Sequence, residues 1–146
     1  MENHPIILIA TPEPLTRQEL LGRFSKGYQA IAVERGSDAL LAVGEENIAL
    51  VILDSSVQEP SGIKTVEILT KMRPLLPVIV LSTDHSVEAG REILQHGVFY
   101  YFVKPLDLAE LDQIVRIALA PNKQLRGRRD QDALATSLGE ETGEEV

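Results

Sequence analysis

The chain has 146 residues, of which 44% are hydrophobic and 25% charged, with a net charge of −8 and no cysteine. This length predicts one domain of about 150 residues, and the absence of cysteine excludes disulfide frameworks, thiolate zinc clusters and cysteine nucleophiles. The acidic balance argues against nucleic-acid partners, and short apolar runs without a signal-peptide pattern argue against a membrane, so a cytoplasmic protein is expected.

Four short apolar runs and a more mixed fifth one predict β-strands. They are too short for helices, and apolar character at consecutive positions indicates strands covered on both faces, as in a parallel sheet between helical layers. The mixed run, the second in the chain, suits an edge strand. In chain order the predicted strands are Ile6–Ala10, Tyr28–Val33, Ala49–Leu53, Val78–Leu81 and Phe99–Val103.

A helical segment follows each strand, and the first two carry start signals. Thr16 and Glu19 form a capping box, which a hydrophobic staple between Leu15 and Leu20 supports. The first helix is therefore predicted to begin at Thr16. A second helix, capped by its first residue, is predicted over Ser37–Asn47.

The last three helices all have stop signals, and the fifth also has a start signal. The third is predicted at Ile63–Met72, and the fourth at Ser86–His96 with Gly97 as its C′ residue. Asp107 begins the fifth helix with the same box and staple as the first, and Pro121 ends it. Strands alternating with helices predict a doubly wound α/β sheet with helices on both faces.

Composition divides the chain at residue 121. Residues 1–121 form the predicted domain, and residues 122–146 are a charged linker or tail, partly helical or disordered. The basic stretch Lys123–Arg129 is interpreted as the start of a solvated linker, with an anionic partner or nucleic acid as the weaker alternative. The chain is either a stand-alone domain or the front of a longer protein.

Candidate site residues follow the strands, because functional groups in such sheets collect outside the carboxyl ends. Asp54 follows the third strand, Ser82 the fourth and Lys104 the fifth. These three residues suit phosphoryl transfer. The carboxylate would accept a phosphoryl group, the lysine would offset its charge, and the hydroxyl would bind a phosphoryl oxygen. For any one of these residues considered alone, the simpler interpretation is that Asp54 caps a turn and Lys104 only pairs with it.

Three stretches, LVILDSSVQEPSG, PVIVLST and GVFYYFVKP, resemble the receiver domain of bacterial two-component response regulators over Pro5 to about Ala120. The resemblance implies a flavodoxin-like, CheY-like fold with five parallel strands in the order 2-1-3-4-5. It also implies a cis peptide before Pro105.

The same resemblance implies residue roles and partners. Asp54 would be the phosphoacceptor and Lys104 its cationic partner, while Ser82 and Tyr101 would be the switch residues. The chain would receive its phosphoryl group from a sensor histidine kinase or a phosphotransfer protein, and it would be a signalling domain rather than an enzyme. A homodimer through helix 4, strand 5 and helix 5 is the expected self-association.

One departure concerns the metal site. Where the family has a pattern like ILIVDDE, this chain reads ILIATPE, so Thr11 and Pro12 replace both carboxylates. Magnesium is usually held by one or two carboxylates besides phosphate and water. Asp54 and the backbone carbonyl of Ser56 remain as ligands, and Glu13 stands one position too late as a substitute. Magnesium is therefore expected only if the site can be phosphorylated, and weak or absent otherwise.

The sequence leaves three functions open. The first is a phosphorelay switch at Asp54, and the second is a pseudo-receiver that acts as a phosphorylation-independent interaction or dimerisation module. The third, a flavodoxin-like enzyme or nucleotide binder, is disfavoured because TPEPLT after the first strand has two prolines and no glycine. Phe99 and Tyr100 replace acidic residues of the family and are expected to pack in the core and against the last helix, with a dimer contact as the alternative.

Overall fold

Five parallel strands form one sheet in the order β2-β1-β3-β4-β5 in the computed structural model, which describes residues 4–121. The order implied by the resemblance is confirmed, and the predicted strand ends differ from the observed ones by no more than one residue. The predicted tail at 122–146 lies outside the described residues. The strands are β1 (Ile6–Ala10), β2 (Gln29–Val33), β3 (Ile48–Asp54), β4 (Val78–Ser82) and β5 (Tyr100–Val103).

Five helices alternate with the strands, as predicted. Over residues 4–121, none of them is long and apolar enough to cross a membrane. The Lys104–Pro105 peptide is cis, as the resemblance implies. The helices are α1 (Pro14–Phe24), α2 (Gly36–Glu45), α3 (Gly62–Met72), α4 (Val87–Leu94) and α5 (Leu108–Ala118).

The core has two layers because successive strand residues point to opposite faces of the sheet. Leu8 and Val51 pack in a cluster with residues of α2, α3 and α4, whereas Ile9 and Ile52 pack with α1 and α5. All four side chains are fully buried. This double coverage explains why the strands read as nearly continuous apolar runs.

The predicted start of α1 is wrong. The helix begins at Pro14, two residues earlier than the expected capping box, and its N-cap Glu13 makes no capping hydrogen bond through its side chain. Proline is favourable at the first helical position because its ring presets φ and its missing N–H has no intrahelical partner there. The Thr16 hydroxyl instead donates to Glu13 Oε1 at 3.0 Å. Leu15 is 80% exposed, so the expected staple with Leu20 does not form.

The predicted cap of α2 is also wrong. The helix spans Gly36–Glu45, and neither Ser37 nor the N-cap residue supplies a capping side chain. Backbone carbonyls of the loop after β3 take this role: Gln58 O accepts from Gly36 N at 2.9 Å, and Glu59 O accepts from Ser37 N at 2.8 Å. A segment more than twenty positions away along the chain therefore satisfies the free amides at this helix start.

The start of α4 is predicted correctly, and its end is not. Ser86 is the N-cap, and its side chain accepts from Ala89 N at 3.1 Å. The helix ends at Leu94 rather than at His96, so Gly97 lies one residue beyond the C′ position. Gly97 has a φ of 84°, the left-handed conformation that glycine adopts without steric cost.

Side chains cap the starts of the two remaining helices, α3 and α5. Ser61 caps α3 by accepting from Lys64 N at 3.3 Å. Asp107 caps α5 by accepting from the backbone N–H groups of Ala109 and Glu110, at 3.1 and 3.2 Å. The predictions for these two helices are confirmed within one residue at each start.

Phe99 and Tyr100 pack against the cluster that contains α1 and α5, as expected. The Tyr100 hydroxyl donates to Glu110 of α5 at 3.0 Å, and its ring lies 4.8 Å from that of Phe102. These contacts join the edge strand β5 to the last helix. The packing interpretation of the two aromatic residues is therefore confirmed.

Candidate functional site

The carboxyl ends of four strands bring the predicted residues to one edge of the sheet. Asp54 ends β3, Thr11 follows β1 on one side, and Ser82 ends β4 on the other. Lys104 follows β5 and reaches back across the end of β4 to Asp54. The placement that the sequence predicted for Asp54, Ser82 and Lys104 is thus what the parallel topology produces.

Asp54 is held by four hydrogen bonds and is only 2% exposed. Its Oδ1 accepts from the backbone N–H of Ser56 at 3.0 Å and from the Ser56 hydroxyl at 2.7 Å. Its Oδ2 accepts from the Thr11 hydroxyl and from Lys104 Nζ, both at 2.8 Å. A carboxylate has about four lone-pair positions, so this one is fully satisfied by the protein.

The hydrogen bonds keep Asp54 ionised despite its burial. Burial by itself raises the pKa of the carboxyl, but the donors from Lys104, Ser56 and Thr11 outweigh it, and the pKa is lowered below its ordinary value. Burial likewise opposes the charge on Lys104, and contacts with Asp54 and Glu13 outweigh it, so the pKa of the ammonium is raised. Asp54 is therefore negatively charged and Lys104 positively charged near neutral pH.

Glu13 contacts the same lysine from the solvent side. Its Oε1 lies 2.9 Å from Lys104 Nζ, and its side chain is 48% exposed while that of Lys104 is 14% exposed. The backbone N–H of Glu13 donates to the Thr11 hydroxyl at 3.1 Å. Lys104 therefore bridges two carboxylates. We call Thr11, Glu13, Asp54, Ser56 and Lys104 the Asp54 cluster.

Sequence reasoning missed the contribution of Thr11. The sequence pattern indicates only that Thr11 replaces a carboxylate, whereas in the structure its hydroxyl accepts from Glu13 N and donates to Asp54. The available signal was a threonine directly after a strand and two positions before a glutamate, a spacing at which Ser and Thr hydroxyls bond to the backbone of the second residue on.

The Asp54 cluster does not fit a magnesium ion. Magnesium requires acceptor oxygens in an octahedral arrangement, but both oxygens of Asp54 already accept donors and Glu13 binds Lys104. The Thr11 hydroxyl is uncharged, and it already donates to Asp54 and accepts from the backbone N–H of Glu13. Within residues 4–121, no group of three or more His, Cys, Asp or Glu side chains could hold a metal ion.

Ser82 and Tyr101, the expected switch residues, meet at Asp84 rather than at Asp54. The Ser82 hydroxyl oxygen accepts from Asp84 N at 3.0 Å, and the Tyr101 hydroxyl donates to Asp84 O at 3.0 Å. In the part of the chain that the structure describes, Ser82 forms no hydrogen bond with Asp54. The expected switch pair is therefore connected through the loop between β4 and α4.

Comparison with protein families gives a match to the model described as "Response regulator receiver domain" over residues 7–116. Among curated proteins, the chain is 29% identical to the transcriptional regulatory protein GlrR of Escherichia coli over 138 residues, which are 93% of this chain and 31% of GlrR. It is 33% identical to ZraR of Salmonella typhimurium over 98 residues, which are 67% of this chain and 22% of ZraR. The chain thus spans less than a third of these two relatives.

Solved structures show the same fold. A response regulator receiver protein from Pseudomonas putida superposes with a TM-score of 0.74 at 27% identity, covering 80% of this chain and 99% of that one. A receiver domain of a Francisella response regulator gives a TM-score of 0.74 at 28% identity, covering 79% of this chain and 96% of that one.

Proposed function

Since this chain belongs to the response regulator receiver domain family, we propose that it is a phosphorylation-independent member of it: an interaction module, not an enzyme, in which Asp54 is a fixed structural charge. Receiver domains of this family serve response regulators in two-component systems and generally bind Mg²⁺ when they are phosphorylated.

The observation that carries the proposal is the complete hydrogen bonding of Asp54. Ser56, Thr11 and Lys104 supply four donors to its two oxygens at 3.0 Å or less. Hydrogen bonds to a charged group contribute roughly 1.5–3 kcal/mol each. A metal ion or a phosphoryl donor would have to displace several of them.

Thr11 makes this competition unfavourable for a cation. A carboxylate at this position would add negative charge and accept a metal bond, whereas the Thr11 hydroxyl adds no charge and donates to Asp54. Lys104 supplies the one positive charge that the buried carboxylate needs. The cluster is thereby stable without an ion.

A second candidate function is the phosphorelay switch with Asp54 as phosphoacceptor. The 2.8 Å contact between Lys104 and Asp54 favours it, because a lysine beside the carboxylate offsets charge on an attached phosphoryl group. In this candidate Glu13 would have to leave Lys104 and act with Asp54 and the Ser56 carbonyl as a magnesium ligand. Its partners would be a sensor histidine kinase or a phosphotransfer protein.

Treatment of the purified chain with beryllofluoride or acetyl phosphate at millimolar Mg²⁺ distinguishes the phosphorylation-independent module from the phosphorelay switch. We expect no change in intact mass with acetyl phosphate and no shift of the Asp54 or Lys104 NMR signals with beryllofluoride. A modification that the wild-type chain acquires and the Asp54→Asn variant does not would refute the proposal and establish the phosphorelay candidate.

A gain-of-function variant tests the same point from the other side. Thr11→Asp combined with Pro12→Asp rebuilds the acidic pair beside Asp54, so we expect Mg²⁺ to raise its Tm and to permit the beryllofluoride adduct. Thr11→Asn combined with Pro12→Asn is the matched control, since it has similar size and no charge. Equal Mg²⁺ responses in wild type and the acidic variant would show that Thr11 is not what prevents metal binding.

We also propose binding partners, a mode of self-association and a cellular location for the chain. The interaction partners are proteins of a two-component system, and a homodimer through α4, β5 and α5 is the candidate self-association. No nucleic acid is expected to bind to this segment. A cytoplasmic location stays a prediction from composition.

A further inference from the structure

The half-buried ring of Tyr101 packs against Gly90 of α4, a helix residue that has no side chain. A Cβ atom placed at Gly90 of α4 would lie 3.3 Å from Cε2 and 3.6 Å from Cδ2 of the ring. The shorter distance is tighter than ordinary van der Waals contact, so the ring occupies the space that a side chain at position 90 would need. Glycine is unfavourable inside a helix, and this contact is a physical reason for one here.

The hydroxyl of the same ring ties down the loop between β4 and α4. Tyr101 donates to Asp84 O, and Asp84 N donates to Ser82 Oγ, both at 3.0 Å. Asp84 Oδ1 accepts from Ser86 N at 2.9 Å, and Ser86 in turn caps α4. The loop is thus bonded to β5, to β4 and to the start of α4, which leaves its backbone little freedom.

We infer that Gly90, Tyr101 and the backbone of Asp84 form a Tyr101 seat, which keeps the ring packed inward on α4 without any chemistry at Asp54. Gly90 is the positioning residue, because its missing side chain makes room for the ring. Within the described residues, no hydrogen bond of the seat involves Asp54.

The inference deepens the proposed function by naming what keeps the interaction surface constant. On either side of Gly90, α4 exposes two apolar side chains, Val87 at 67% and Leu94 at 51%. They stand three positions before and four positions after Gly90, a spacing that places all three residues on the same side of the helix. With the Tyr101 ring held on Gly90 beside them, a protein partner that contacts this side of α4 meets one constant arrangement of these side chains.

Proton NMR of the full chain tests the seat directly, without Mg²⁺ or a phosphoryl donor. We expect nuclear Overhauser contacts between the Gly90 Hα protons and the Tyr101 ring in the wild-type chain. The Gly90→Leu variant should turn the ring toward solvent and remove its contacts with α4. Gly22→Leu is the matched control: Gly22 lies inside α1, and beyond the helix's own backbone no atom lies within 4 Å of its Cβ position, so the Tyr101 signals should not change.

A second variant keeps the inference testable if Gly90→Leu does not fold. Tyr101→Phe retains the ring and loses the hydroxyl, so the ring should stay on Gly90 while the amides of Asp84 and Ser86 exchange with solvent roughly fivefold to tenfold faster. Wild-type spectra without ring contacts to Gly90, or unchanged exchange in Tyr101→Phe, would overturn the seat.

The results also separate this inference from the proposed function. An Asp54 adduct in a chain whose ring is already seated would refute the proposed function and leave the seat intact. A solvent-exposed ring in a chain that forms no adduct would refute the seat alone.

Discussion

The Asp54 cluster and the Tyr101 seat lie near the same edge of the sheet, and different forces hold them. The cluster is a buried carboxylate matched to one lysine and three further donors. The seat is an aromatic ring on a bare helix position with a single hydroxyl bond. The cluster therefore depends on ionisation, and the seat depends mainly on shape. Variants that remove charge should damage the first, and variants that add volume should damage the second.

Removal of Lys104 should have the largest effect. Lys104→Met leaves the 2%-exposed Asp54 without its cation, and an unpaired buried charge costs about 3–5 kcal/mol in the free energy of unfolding. Urea denaturation measures this loss. Adding Asp54→Asn to the same chain should recover part of it, because the uncompensated charge is then gone.

A surface pair is the control for that variant. Lys71 pairs with Glu67 at 3.3 Å, and its side chain is 76% exposed. Lys71→Met should change the free energy of unfolding by less than about 1 kcal/mol. If both lysine variants cost the same, the Asp54 cluster is no more charge-dependent than the surface.

Loss of the Thr11 hydroxyl should have the next largest effect. Thr11→Val keeps the shape but leaves Asp54 Oδ2 with one donor fewer and Glu13 N without its acceptor, at a cost of about 1–3 kcal/mol. Thr70→Val in α3 is the control, since the Thr70 hydroxyl donates only to helix carbonyls that already have partners. Equal urea midpoints for the two variants would contradict the role assigned to Thr11.

Acid should weaken the cluster more than the seat. The pKa of Asp54 is lower in the folded chain than in the unfolded chain, where it is about 3.9, so its contribution is present above that value and is lost as pH falls through the folded pKa. As the pH is lowered below about 5, the stability of the wild-type chain should therefore fall more steeply than that of Asp54→Asn. Parallel curves from urea denaturation at each pH would contradict this.

The smallest effect should come from a methyl group at the seat. Gly22→Ala in open space should stabilise the chain by about 0.5–1 kcal/mol through helix propensity. Gly90→Ala has the same propensity gain, but its methyl group meets the Tyr101 ring at 3.3 Å, so the net gain should be smaller or reversed. Thermal unfolding of both variants measures the difference. Equal gains in stability for the two variants would show that the Tyr101 ring moves aside without loss of stability.

Much of the fold could be predicted because its signals are local. Apolar runs in the strands and capping side chains at Ser86 and Asp107 each act within a few residues, and the structure has them where the sequence predicts them. The meeting of Asp54 with Lys104 could also be predicted, because parallel strands bring their carboxyl ends to one edge. The start of α2 could not, since its caps are the distant carbonyls of Gln58 and Glu59.

The sequence by itself determined the sheet, its two helical layers and the row of polar residues at the strand ends, because hydrophobic periodicity is repeated in every unit. Only the tertiary structure decided that Thr11 donates to Asp54 and that Tyr101 rests on Gly90. These contacts join residues of different elements of the fold, and the first pair is 43 positions apart in the chain. Their energies depend on which atoms face each other, at distances and angles that a linear pattern does not encode.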